Sequence, residues 1–168
     1  MVASLPSDIQ SFALSVPGGL ITDLLLKSAT FGPPISGGVA AKLGPDTLLY
    51  RDFFRDAQAA ADAGDPVNHF ARATANKPVL LHKIVGDTVV PNSATDRLIA
   101  VGGLQKATAA GRVPAGSYMT FTKGGHGSLL DPTVSAQATI EMQSEFVYFA
   151  ATGGAYTLIL DPTFIQTP

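Results

Sequence analysis

The run Val79-Leu80-Leu81-His82-Lys83-Ile84-Val85, preceded by Pro78 and broken by Gly86-Asp87, constrains this chain more than any other stretch. Short apolar runs rich in branched residues and closed by glycine read as buried strands. Strands covered on both faces belong to parallel sheets. An Asp just past the end of such a strand sits at the edge where open α/β sheets place their ligands. A second stretch of this kind, Ser117 to Thr122, runs into Lys123-Gly124-Gly125-His126-Gly127-Ser128. An acid after one strand and a His after the next, 39 residues later, is the chain order of the second half of a Ser-Asp-His hydrolase triad.

The rest of the chain fits an α/β layer sandwich with a short parallel sheet flanked by helices. Ile9 to Val16 reads as a first strand, closed by Pro17-Gly18-Gly19, and Leu20 to Ala29 as a short helix. Phe31 to Gly38, with two prolines and three glycines, reads as a loop. Pro45-Asp46 opens a helix that places Leu49, Phe53, Ala57 and Ala60 on one face and stops at Gly64. Asp65-Pro66 is a helix start before a short helix, Val67 to Thr74. Asn92 or Ser93 caps a helix that reaches Leu104 and packs Leu98, Ile99 and Val101. Gln105 to Gly116 is a polar connection. Asp131-Pro132 starts a helix from Thr133 to about Ala151, with Ile140, Met142, Phe146, Val147 and Phe149 on its apolar stripe. Tyr156 to Leu160 is a further short strand, and Asp161 to Pro168 a tail. No repeat or linker divides residues 1–168, which read as a single domain.

Asp87 has two readings. Its carboxylate can accept the Nδ1–H of a catalytic His, or it can cap backbone N–H groups in a Gly-Asp-Thr turn. His126 after the next strand favours the first. Gly125 and Gly127 beside His126 permit close backbone approach. His82 lies inside the apolar strand and reads as a satisfied interior His. His69 has no partner by sequence. The three His lack metal-ligand spacing, so neither a zinc site nor any cofactor is expected. The nucleophile has no motif, because no Gly-x-Ser-x-Gly pentapeptide occurs. The candidates are Ser36 in Pro34-Ile35-Ser36-Gly37-Gly38, Ser15 at the end of the first strand, and Ser128, two residues after His126.

A net charge of −2 with scattered Lys and Arg gives no basic footprint, so a nucleic-acid partner is not expected. No apolar run reaches a membrane span, and the N-terminus has no basic-then-apolar leader, so no signal peptide is expected. With no cysteines, disulfides and thiolate chemistry are excluded.

Several stretches together resemble the C-terminal half of an α/β-hydrolase-fold lipase or carboxylesterase of the Pla-1/cef-type bacterial extracellular lipase family. They are Ser15-Val16-Pro17-Gly18-Gly19, Asp65-Pro66-Val67-Asn68, Leu81-His82-Lys83-Ile84-Val85-Gly86-Asp87-Thr88-Val89-Val90-Pro91-Asn92, Gly125-His126-Gly127-Ser128 and Glu141-Met142-Gln143. The resemblance implies that Asp87 is a triad acid and His126 a triad base. It also implies a secreted or cell-envelope setting, and earlier strands and a nucleophile elbow that would precede residue 1. Three functions follow as expectations. The first is a carboxylic ester hydrolase acting on a small ester or lipid. The second is an inactive truncated hydrolase. The third is a subunit that needs a partner chain. The first strand would then lie at an open edge, and a homodimer or higher homo-oligomer is expected there.

Overall fold

The computed structural model describes residues 8–167; the segment 1–7, read above for a leader, and Pro168 lie outside the described residues. The chain is an α/β protein with a four-stranded parallel sheet flanked by helices. Its elements in order are β1 (Phe12–Ser15), α1 (Ile21–Lys27), α2 (Gly32–Leu43), α3 (Leu48–Ala61), α4 (Phe70–Asn76), β2 (Val79–Ile84), α5 (Asn92–Gly102), β3 (Gln105–Lys106), β4 (Gly111–Pro114), β5 (Ser117–Phe121), α6 (Ala136–Ala151) and β6 (Tyr156–Ile159). The sheet order is β1-β2-β5-β3, all parallel, and β4 pairs antiparallel with β6 in a separate ribbon.

The strand β2 shows why its sequence is apolar throughout. Alternate side chains point to opposite faces. Leu80 and Ile84 join Met119 and Phe121 of β5 in a cluster closed by Ala138, Met142 and Phe149 of α6. Val79 and Leu81 join a second cluster, closed by Phe70 and Ala73 of α4 and by Leu98 and Ile99 of α5. Both faces are covered, so alternation would leave polar groups inside. Each fully buried Val, Leu, Ile, Met or Phe among them contributes about 1.5–3 kcal/mol.

Several sequence expectations are corrected. Residues 31–38 are not a loop: Pro33 and Pro34 fall within the first turn of α2, where a missing N–H costs nothing, and Gly37 and Gly38 continue the helix. The inward face of α3 is Tyr50, Phe54, Ala57, Gln58 and Ala61, while Leu49 and Phe53 are exposed. In α6 the buried face is Ala138, Glu141, Met142, Glu145 and Phe149, and Ile140 and Val147 face outward. Val101 of α5 is exposed as well. The helix after Asp131-Pro132 begins only at Ala136: Asp131 accepts the Thr133 N–H in a local turn, and Ser135 is the cap. The connection 105–116 contains β3 and β4. The tail is tied down, with Thr122 N–H donating to Phe164 O and Gln166 N–H to Thr120 O.

Asp65 caps as its Asp-Pro step predicts, accepting the Val67 N–H at 3.0 Å, but it does more. Its buried carboxylate also accepts from Leu20 N, Ile21 N and Gln58 Nε2. Burial opposes its charge, yet these donors outweigh that effect and hold the carboxyl below its ordinary range. It thereby clamps the turn after β1 to the segment before β2.

Candidate functional site

The pairing Ile84↔Phe121 brings the ends of β2 and β5 side by side at one edge of the sheet. The chain leaves β2 through Gly86 at φ 74, a left-handed conformation that explains glycine before the acid. Asn92, expected as a helix cap, instead reaches back across this turn. Its Oδ1 accepts Gly86 N–H at 3.0 Å and its Nδ2 donates to Ile84 O at 2.6 Å. Asp87 Oδ1 accepts the Val89 and Val90 N–H groups at 2.8 and 3.0 Å. The turn-capping reading of Asp87 holds: one oxygen closes the turn, which leaves the other for a side-chain partner.

That second oxygen meets His126. Asp87 Oδ2 lies 2.9 Å from His126 Nδ1. The Asp87 side chain is 1% exposed and the imidazole 39%. With Oδ1 taken up by two amides, Oδ2 is the oxygen placed to accept an Nδ1–H, and in that tautomer of the neutral ring Nε2 carries the lone pair. No partner occupies Nε2 among the described residues. The unusual backbone lies at Gly124, φ 128, rather than at Gly125 or Gly127.

None of the three candidate serines hydrogen-bonds His126 among the described residues. Ser128 is buried and its Oγ accepts the Gly125 N–H at 2.8 Å. Ser36 Oγ donates to Gly32 O, one turn back in its own helix, at 2.7 Å. Ser15 Oγ is buried beside the sheet, with no hydrogen-bond partner. Its strand register places Ser15 opposite His82.

His82 is interior, as its position in the apolar strand predicts, but it is not satisfied in the ordinary way. Its Nε2 stands 2.6 Å from Glu145 Oε2, both side chains fully buried, yet neither group makes a well-directed hydrogen bond. Burial disfavours the charged form of each group. Burial drives the His82 pKa down to about 3, and burial together with the neighbouring Glu141 carboxylate drives that of Glu145 up to about 9. Desolvating both charges costs more than their attraction returns. The rings of Phe121 and Phe146 lie 5.0 and 4.3 Å from the imidazole and complete its apolar surround. Glu145 follows from no local sequence signal, because only tertiary packing puts α6 against β2.

Among the described residues no three His, Cys, Asp or Glu side chains are placed to hold a metal ion, and no helix is long and apolar enough to cross a membrane. Comparison of the chain with protein-family models, with curated proteins and with solved structures gave no match.

Proposed function

We propose that this chain is a carboxylic ester hydrolase in which Asp87 and His126 form the acid–base pair. The observation that carries this reading is the 2.9 Å Nδ1–Oδ2 hydrogen bond, made at one sheet edge by a buried acid and a solvent-facing imidazole. Asp87 fixes the tautomer in which Nε2 is the base. Nε2 takes the proton of an attacking serine hydroxyl as its oxygen bonds to the ester carbonyl. The imidazolium, stabilised by Asp87, then protonates the departing alkoxide. Water repeats the cycle on the acyl intermediate. Exposed Leu130 in the turn after His126 and exposed Val85 before Gly86 suit an apolar ester or lipid substrate.

A second reading is favoured by where the serines lie. Ser36 and Ser128 are hydrogen-bonded elsewhere and the buried Ser15 hydroxyl makes no hydrogen bond to His126; on this reading the chain supplies acid and base, and a partner chain supplies the nucleophile. A p-nitrophenyl butyrate assay with a fluorophosphonate probe and peptide mass spectrometry separates the readings. Turnover lost in His126→Ala, with a labelled serine in this chain, supports the first. Turnover only with an added partner, and label on that partner, supports the second. An intact fold without turnover or label under either condition refutes both.

A further inference from the structure

We infer that Ser128 and Thr139 are positioning residues that hold the His126 turn against Asp87. The turn Gly125-His126-Gly127-Ser128 is closed twice. Gly125 N–H donates to Ser128 Oγ at 2.8 Å, and Ser128 N–H donates to Gly125 O at 2.9 Å. His126 sits between the two closed ends, so its backbone direction is set by Ser128. The approach is close on the other side too: a Cβ on Gly124 would stand 3.1 Å from both Cβ and Oγ of Ser128.

The closed turn is then fastened to α6. Thr139 Oγ–H donates to Ser128 O at 2.6 Å, in a buried setting, and approaches Asp131 O at 3.3 Å. Gln143, one helical turn on, donates to Leu129 O at 2.9 Å. Asp87, by contrast, is held by its own turn through Val89, Val90 and, one step back, Asn92. The acid and the base are therefore set by separate frames. The hydrogen bond between them depends on how firmly α6 holds the His126 turn, and the buried part of that hold runs through Ser128 and Thr139, with Gln143 adding an exposed tie at Leu129. The hydroxyl of Ser128 is a brace rather than a nucleophile.

This inference concerns the geometry of the pair and rests on the hydrolase reading only for its effect on turnover. Its test uses long-range 1H–15N correlation spectra of the imidazole rings with the rings neutral, which report the tautomer directly, together with exchange of the Gly125 amide. His69, bonded to Ala63 O on another surface, is the internal control. In the wild type His126 is held as the Nδ1–H tautomer. Ser128→Ala is expected to give a mixture of tautomers at His126 and at least about tenfold faster exchange at Gly125, consistent with losing roughly one hydrogen bond, with His69 unchanged. Thr139→Val, which removes the hydroxyl at nearly constant shape, is expected to do the same more weakly, and Thr139→Ser to restore the wild-type pattern. An unchanged tautomer and unchanged Gly125 exchange in folded Ser128→Ala overturn the inference. Should that variant not fold, Thr139→Val decides in its place, and a wild-type His126 spectrum there overturns it equally. Absence of ester hydrolysis both by the chain alone and with an added partner chain would refute the function proposed above and leave this readout untouched.

Discussion

The buried contact between His82 and Glu145 predicts an unusual dependence of stability on pH. In the folded chain burial holds the His82 pKa at about 3 against an ordinary 6.5, so between these values the unfolded chain binds the extra proton and stability rises with pH. Glu145 is held at about 9 against 4.5, so between these values the folded chain binds the extra proton and stability falls with pH. From pH 4.5 to 6.5 the two slopes cancel. Above 6.5 only the Glu145 limb remains, worth about 1.4 kcal/mol per pH unit, or about 3 kcal/mol by pH 9. Glu141, raised by its own burial although it accepts the Leu160 and Asp161 N–H groups, adds a decline that starts at its ordinary 4.5 and so tilts the plateau slightly downward with pH. Asp65, held low by its donors, adds to the loss on the acid side. Urea unfolding at fixed pH steps measures the curve. The expected result is a plateau between about pH 4.5 and 6.5 with a decline on either side. Glu145→Gln should remove most of the alkaline limb, so that the variant gains on the wild type by about 1.4 kcal/mol per unit above pH 6.5. A wild-type curve flat from pH 6.5 to 9, or an alkaline slope unchanged in Glu145→Gln, would refute the reasoning.

Three further outcomes are expected. Asn92→Ala leaves Gly86 N–H and Ile84 O without their partner and should cost about 1–3 kcal/mol in urea unfolding, with turnover reduced because the acid's turn loosens. Gly18→Ala drives a Cβ into Leu24 Cδ1, with Val90 Cγ1 and Ala94 Cβ behind it, and should lower stability by about 1–3 kcal/mol by the same measurement. We also propose that the chain dimerises through β1, an edge strand with an exposed Ala13 and no charge, over an interface of more than about 1,000 Å²; light scattering coupled to size exclusion should give twice the 17.3 kDa chain mass, and a monomer mass at all micromolar concentrations would contradict it.

The elements that were legible in the sequence were those whose pattern is local. The apolar runs of β2 and β5 announce a covered parallel sheet. An acid after one strand and a His after its neighbour fall together because parallel strands share one C-terminal edge. What was not legible depended on partners distant in sequence. The helix α2 hid behind Pro33, Pro34, Gly37 and Gly38, whose low propensity is overridden because both prolines fall in the first turn. Faces of α3 and α6 were displaced because Leu49, Phe53, Ile140 and Val147 supply a good apolar period yet point outward, while Glu145 and Gln58 turn inward to polar partners. Asn92 looked like a cap and serves as a strap, a role visible only once Ile84 and Gly86 fold back beside it.

The most direct test of the central claim compares ester hydrolysis by the wild type and by Asp87→Asn. Asn keeps the shape of the buried side chain and can still meet His126, but its amide can donate to Nδ1 and so favour the tautomer in which Nε2 carries the proton. If Asp87 orients His126 as the base, kcat/KM for p-nitrophenyl butyrate should fall by roughly 10⁴ with the fold intact, the size of loss known for this change in a serine-protease triad. A variant that hydrolyses the ester within about twofold of the wild type, a difference under about 0.5 kcal/mol in the barrier, would contradict the account.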